Sequence, residues 1–167
     1  MLPDINQILY ATDLGSGSTH VFRFALSLAS KYQAQVTILN VVEPLSTFAQ
    51  SLVELHISHQ DSQNQHADIR KSLLNQLRQR LHDFCEKEAC LADENLVADI
   101  HVIEGQPAET IIKQATDLEA DIIVMGTHRH SVVGETLLGS TAHKVLHSSA
   151  LPVLLVRIPD DHQVEGL

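Results

Sequence analysis

The stretch from Met125 to Ala142 reads Met-Gly-Thr-His-Arg-His-Ser-Val-Val-Gly-Glu-Thr-Leu-Leu-Gly-Ser-Thr-Ala, and its residue types suit an anion. An apolar run ends at Gly126, where the missing Cβ lets a ligand approach the backbone. Thr127, His128 and Arg129 follow, and Arg129 is the only permanently cationic side chain between positions 126 and 141. Gly139-Ser140-Thr141 then opens a helix, which offers unpaired N–H groups, two hydroxyls and the positive end of a helix dipole. An ordinary capped helix start accounts for the same three residues, so spacing alone leaves both readings open. Near the N-terminus a second apolar run, Ile5 to Thr12, closes on Asp13. That carboxylate can accept a hydrogen bond from a ligand amine or hydroxyl, or cap the helix that follows.

Other reactive residue types do not assemble into a constellation. His143 and His147 sit four apart on one helix, His128 and His130 flank Arg129, and His56, His59 and His66 lie in a polar segment. A tight metal site needs three or four fixed ligands, so solvated histidines are the expectation and no metal is assigned. Cys85 and Cys90 are five apart on one predicted helix, where their side chains diverge; free thiols are expected, not a disulfide. Gly15-Ser16-Gly17 with Glu43 hints at a dinucleotide fingerprint, but His20 stands where its third glycine is needed. There is no nucleophile elbow, no redox pair of cysteines and no general base beside the glycine loop, so no residue is assigned as catalytic.

The elements that must position these residues are legible as alternating runs. Strands are predicted at Ile5–Thr12, Gln35–Val42, Leu96–Ile103, Asp121–Met125 and Pro152–Val156. Between them lie helical periods. Phe22, Ala25, Leu28, Ala29 and Tyr32 form one, capped by Ser16 or Ser18; Leu73, Leu77, Leu81 and Phe84 form another, clear from Ile69. Ala108, Ile111, Ile112, Ala115 and Leu118 follow Pro107, and a last helix spans about Gly139 to Ser149. Residues 44–65 read as a variable loop or short helix. Strands alternating with helices imply an α/β fold, an open five-stranded parallel sheet with helices on both faces. One domain is expected over residues 1–159, with a polar tail at 160–167. In such a sheet a ligand sits beyond the carboxyl ends of the strands, where the strand order switches.

Composition narrows the partners. The formal net charge is -10 with the eleven histidines neutral, which disfavours nonspecific nucleic-acid or anionic-membrane binding. Hydrophobic residues make up 44% and aromatics 4%, with no tryptophan, so the core must be aliphatic. No apolar run approaches the roughly 20 residues of a membrane span, and the start Met-Leu-Pro-Asp-Ile-Asn lacks the form of a signal peptide. Membrane insertion is not expected, and a cytoplasmic location is.

The loop from Gly126 resembles the nucleotide-binding signature of the universal stress protein family, Gly-x-x-Gly followed after nine residues by Gly and Ser or Thr. Gly126, Gly139 and Ser140 match it, and Arg129 replaces the second glycine. The start Ile-Leu-Tyr-Ala-Thr-Asp, the stretch Gly-Gln-Pro-Ala-Glu-Thr-Ile and the ending Leu-Pro-Val-Leu-Leu-Val are similar to other parts of that family. The resemblance implies a Rossmann-like adenine-nucleotide fold. It implies ATP or AMP as ligand, with Mg2+ as an optional companion, and adenine near Ala11, Thr12, Asp13 and Val41. Gly126, Thr127 and His128 would follow the ribose and first phosphates, and Gly139, Ser140 and Thr141 the distal ones. Arg129 either carries positive-φ strain or neutralises phosphate with its guanidinium. The resemblance further implies a homodimer through the last strand, Val153 to Val156, and a stress-response or regulatory role. A slow ATPase and a nucleotide-free homodimeric interaction module are the alternatives.

Overall fold

Five short runs rich in Ile, Leu and Val become the five strands, because residues buried on both faces of a sheet need no polar alternation. The computed structural model describes residues 2–15, 17–44, 62–89, 94–127 and 138–159. In chain order the elements are β1 (Gln7–Ala11), α1 (Ser18–Tyr32), β2 (Gln35–Val42), α2 (Ser62–Ala89), a 3-10 turn (Glu94–Leu96), β3 (Val97–Glu104), α3 (Pro107–Asp117), β4 (Ile122–Thr127), α4 (Ser140–Ser148) and β5 (Val153–Arg157). The sheet order is β3-β2-β1-β4-β5, and every pairing is parallel. The expected α/β architecture is therefore present, with β1 at the centre and β3 and β5 at the edges.

Alternation along β1 divides the core in two. Ile8 and Tyr10 face α1 and α2, where they join Phe22, Ala25, Leu81 and Phe84. Leu9 and Ala11 face α3 and α4, where they join Ile111, Ala115, Ala142 and Val145. Tyr10, Phe22 and Phe84 stack in series, with ring centroids 5.2 and 5.1 Å apart. Two polar side chains tie β1 to its neighbours. The Asp121 carboxylate accepts from the backbone N–H groups of Asn6 and Gln7 at 2.7 and 2.9 Å, pinning the entry of β1 to that of β4. The Asn40 amide donates to the Thr12 carbonyl at 2.9 Å, fixing the exit of β1 against β2.

Several expectations are corrected. α1 is not capped by Ser18: Gly17 holds the cap position at φ 86° with no side-chain cap bond, and Ser18 is the first helical residue. The turn closes through backbone instead, with Ser18 N–H donating to Gly15 O and Val21 N–H to Gly17 O; Ser16 lies outside the described residues. Tyr32, expected in the core, is 51% exposed, and Val21 and Leu26 are buried on α1 in addition to Phe22, Ala25 and Ala29. α2 begins at Ser62, seven residues before its apolar period at Ile69, because Ser62 to Asp68 carries no stripe to signal a helix. Its later turns reach the core through Leu81, Phe84 and Cys85, while Leu73 is 48% exposed. β4 runs on through Gly126 to Thr127, where these residues pair with Val156 and Arg157. Cys85 is free and buried, and burial pushes its thiol up to about 12; Cys90 lies outside the described residues. On α2 the buried Glu88 carboxylate accepts from Arg23 of α1 at 2.8 Å.

Candidate functional site

Chain direction creates the site. From the central β1 the chain crosses through α1 to β2 on one side, while β4 lies on the other side, so the connections leaving β1 and β4 diverge. A cleft of about 630 Å³ opens there, at the carboxyl ends of the strands. Its inner wall is apolar, formed by Leu39, Val41, Pro107, Ile111 and Met125. Its outer wall is polar backbone and small side chains from two helix starts, those of α1 and α4.

The structure brings most of the sequence-derived candidates together. Ala11, Thr12 and Asp13 leave β1 into the cleft, and Val41 reaches it from β2. Gly126 arrives from β4, and Gly139, Ser140 and Thr141 arrive with α4. Thr127 is not brought in: it is buried at the end of β4 and does not line the cleft. His128 and Arg129 lie outside the described residues.

The turn after β1 is held by its own side chains. Thr12 Oγ1 accepts from Leu14 N–H at 3.1 Å, and Asp13 Oδ1 accepts from Gly15 N–H at 2.8 Å. Leu14 sits at φ 60°, a left-handed conformation that costs a leucine about 1–2 kcal/mol. Asp13 therefore braces the turn into α1 and keeps an exposed carboxylate at the rim of the cleft.

The two motif glycines serve different purposes. A Cβ on Gly126 would lie 3.0 Å from Val21 Cγ2 and 3.2 Å from Ile158 Cδ1. The missing side chain there admits the packing of α1 and the segment after β5, which corrects the expectation that it serves ligand approach alone. Among the described residues, a Cβ on Gly139 would meet nothing within 4 Å. Gly139 has φ -54° and ψ 149°, open to any residue, and its carbonyl accepts from His143 N–H at 2.9 Å. Gly139, Ser140 and Thr141 bring the start of α4 to the cleft, and the field of the helix favours an anion there.

Among the described residues, Asp13 and Tyr10 are the only ionisable side chains on the cleft. Burial pushes the Tyr10 phenol far above its ordinary value, and its hydroxyl donates to the Ser18 carbonyl at 2.9 Å. Tyr10 is thus a fixed donor in the floor. The sequence missed Tyr10, Leu39, Pro107, Ile111, Met125 and Ile158 as lining residues; apolar side chains at strand and helix ends look like core until the helices are placed. The remaining metal-type side chains stand elsewhere. His82, Asp83 and Glu86 cluster on the exposed face of α2, and the His143 and His147 rings lie 4.8 Å apart on the outer face of α4. No described helix is long and apolar enough to cross a membrane.

Comparison with known proteins identifies the fold and the family. The profile of the universal stress protein family matches residues 5–157. The universal stress protein YxiE of Bacillus subtilis is 29% identical over 152 residues, covering 91% of this chain and 99% of that one. The universal stress protein MJ0577 of Methanocaldococcus jannaschii is 26% identical over 90% of this chain and 94% of its own. Its solved structure superposes with a TM-score of 0.71 at 23% identity, covering 95% and 99% of the two chains. A universal stress protein solved in complex with cAMP superposes with a TM-score of 0.61 at 16% identity, covering 94% of this chain and all of that one.

Proposed function

The chain belongs to the universal stress protein family, and on that premise we propose that it is a cytoplasmic stress-response or regulatory protein that binds ATP or AMP at the carboxyl ends of its strands. The observation that carries the reading is the cleft itself, with an apolar inner wall, an exposed carboxylate at the rim and an open helix start on the outer wall. The flat face of a base suits Leu39, Val41 and Met125. Asp13 accepts from the exocyclic amine or a ribose hydroxyl. Gly126, Thr127 and His128 follow the ribose and first phosphates, with Thr127 contributing backbone only. Gly139, Ser140 and Thr141 take the distal phosphates, with Mg2+ as their optional companion. Arg129 supplies compensating charge, which a protein of net charge -10 needs where a polyanion docks. The relative solved with cAMP supports an adenine nucleotide as the ligand class.

The reading includes assembly. β5 is an edge strand, and unpaired apolar edges recruit partners; a second copy pairing Val153 to Val156 antiparallel gives a closed two-fold dimer. Calorimetry of ligand-stripped protein with ATP, ADP and AMP tests the nucleotide, together with mass spectrometry of whatever the purified protein releases. Binding of any one of the three is expected. No heat with any of them on folded protein defeats the proposal.

A further inference from the structure

Val21, Phe24, Leu28 and Tyr32 are spaced three, four and four residues apart, so they form one stripe along α1. Two contacts orient that stripe. Arg23, about 200° round the helix from Val21, bonds Glu88 of α2 at 2.8 Å. Val21 turns the other way: a Cβ on Gly126 of β4 would lie 3.0 Å from its Cγ2 and 3.2 Å from Ile158, which follows β5. The stripe therefore runs on the flank of α1 away from α2, over the side of the sheet that ends at β5. Leu28 and the β5 residue Leu154 are both half-buried against the same core cluster. Phe24 and Tyr32, on the same stripe, are 47% and 51% exposed, and the His20 ring stands edge-on to Phe24 at 5.2 Å between centroids.

A five-residue edge strand does not make a stable dimer by itself. Specific interfaces bury about 800 Å² on each partner, from about 20–30 residues a side, and their energetic centres are rich in aromatic residues. The surface beside the strand has to supply the rest. α1 carries no Asp or Glu from Ser18 to Tyr32 in a chain of net charge -10, so this flank brings two copies together without juxtaposing their acids. An antiparallel β5 pair has its two-fold axis normal to the sheet, which puts both copies of α1 on one face and sets each stripe beside its own copy.

We propose that a second copy of this chain covers the α1 stripe, so that the dimer interface extends from the β5 edge onto Phe24, Leu28 and Tyr32. Phe24 and Tyr32 of both copies then close over the paired strands, and Leu154 loses its remaining exposure.

This inference rests on the β5 pairing proposed above, and its test separates the two. Sedimentation over a concentration series compares wild type with Phe24→Glu, Tyr32→Glu and Val153→Pro. Leu73→Glu is the control, since Leu73 is as exposed as Phe24 but lies on α2, which packs over β3 at the opposite edge of the sheet. Phe24→Glu and Tyr32→Glu should each weaken self-association by about tenfold or more, and Leu73→Glu should leave it unchanged. Thermal melting of Val153→Pro with and without Phe24→Glu should show no difference, because the Phe24 side chain is exposed in the single chain. Self-association of both α1 variants within threefold of wild type overturns the proposal, and a monomeric Val153→Pro then leaves the strand pairing standing. An equal loss in Leu73→Glu overturns it as well. So does a lower melting temperature when Phe24→Glu is added to Val153→Pro, which means that the chain itself covers the stripe. A dimer that persists in Val153→Pro and is lost in Phe24→Glu keeps the α1 surface and removes the strand pairing. A monomeric wild type removes both.

Discussion

Replacing Gly139 by valine asks the most of the site. Among the described residues the added Cβ meets nothing within 4 Å, and φ -54° with ψ 149° suits any residue, so no strain is expected in the folded state. Removing a glycine also restricts the unfolded chain, which stabilises by about 0.4–1 kcal/mol at compatible positions. The melting temperature should hold or rise by roughly 1–4 °C. Binding should collapse. The proposed reading docks phosphate oxygens against the start of α4 at Gly139, and the new methyl groups would compete for that space. Losing two charge-assisted hydrogen bonds of about 1.5–3 kcal/mol each removes roughly 3–6 kcal/mol, more than a hundredfold in affinity. Gly126→Ala should show the reverse signature. Its Cβ meets Val21 and Ile158 at 3.0 and 3.2 Å, and overpacking of this kind costs about 1–3 kcal/mol, lowering the melting temperature by roughly 2–12 °C. Calorimetry with ATP and thermal melts of both variants make the comparison. A Gly139→Val protein that binds ATP within threefold of wild type refutes the phosphate assignment of α4. One that fails to fold refutes the open space in front of it.

Three further outcomes are expected. Cys85 ionises at about 12 in the folded protein, above the roughly 8.5 of an unfolded thiol. Its contribution is therefore complete below pH 8.5 and lost as pH rises towards 12, at up to about 1.4 kcal/mol per unit; urea titrations at pH 8 and pH 10 should show a smaller alkaline loss in Cys85→Ala than in wild type, and equal losses contradict this. Sedimentation should give twice 18.4 kDa. Pro152 O accepts from Ile123 N–H on β4, so the Val153 N–H of the same peptide points to the open edge; Val153→Pro should yield monomer, and a persisting dimer places the interface elsewhere. Arg129→Ala should weaken ATP more than AMP, with the difference shrinking at high salt; tighter ATP binding in Arg129→Ala would make the arginine an obstruction.

The strands were legible because burial on both faces leaves them uniformly apolar; β2 runs from Gln35 to Val42 in the sequence reading and in the structure alike. The helix stripes placed α3 and the later turns of α2 for the same reason. What stayed hidden depends on partners distant in sequence. Asp121 looked like the first residue of a strand, yet its carboxylate holds the backbone of Asn6 and Gln7. Asn40 sits inside an apolar strand, and only the neighbouring exit of β1 shows why. Ser18 reads as a cap from its place before a helix, and a glycine with positive φ takes that role. For the site, spacing identified the glycines and hydroxyls of the outer wall. The inner wall is built from Leu39, Pro107, Ile111 and Met125, residue types that no spacing separates from core.

Gly17, Gly126 and Ile158 are separated by most of the chain and meet at one point. A Cβ on Gly17 would strike Ile158, and a Cβ on Gly126 would strike Ile158 and Val21. The three positions therefore cannot vary independently in descent. A lineage that trims residue 158 to valine or alanine removes the 3.2 Å contact at 126, and one that trims residue 21 removes the tighter one at 3.0 Å. Position 17 stays glycine even then, because its φ of 86° penalises any Cβ whatever the space. The permitted historical order is thus a smaller residue at 158 or 21 first and a larger one at 126 second. Related sequences carrying alanine at 126 should already carry a reduced residue at 158 or at 21.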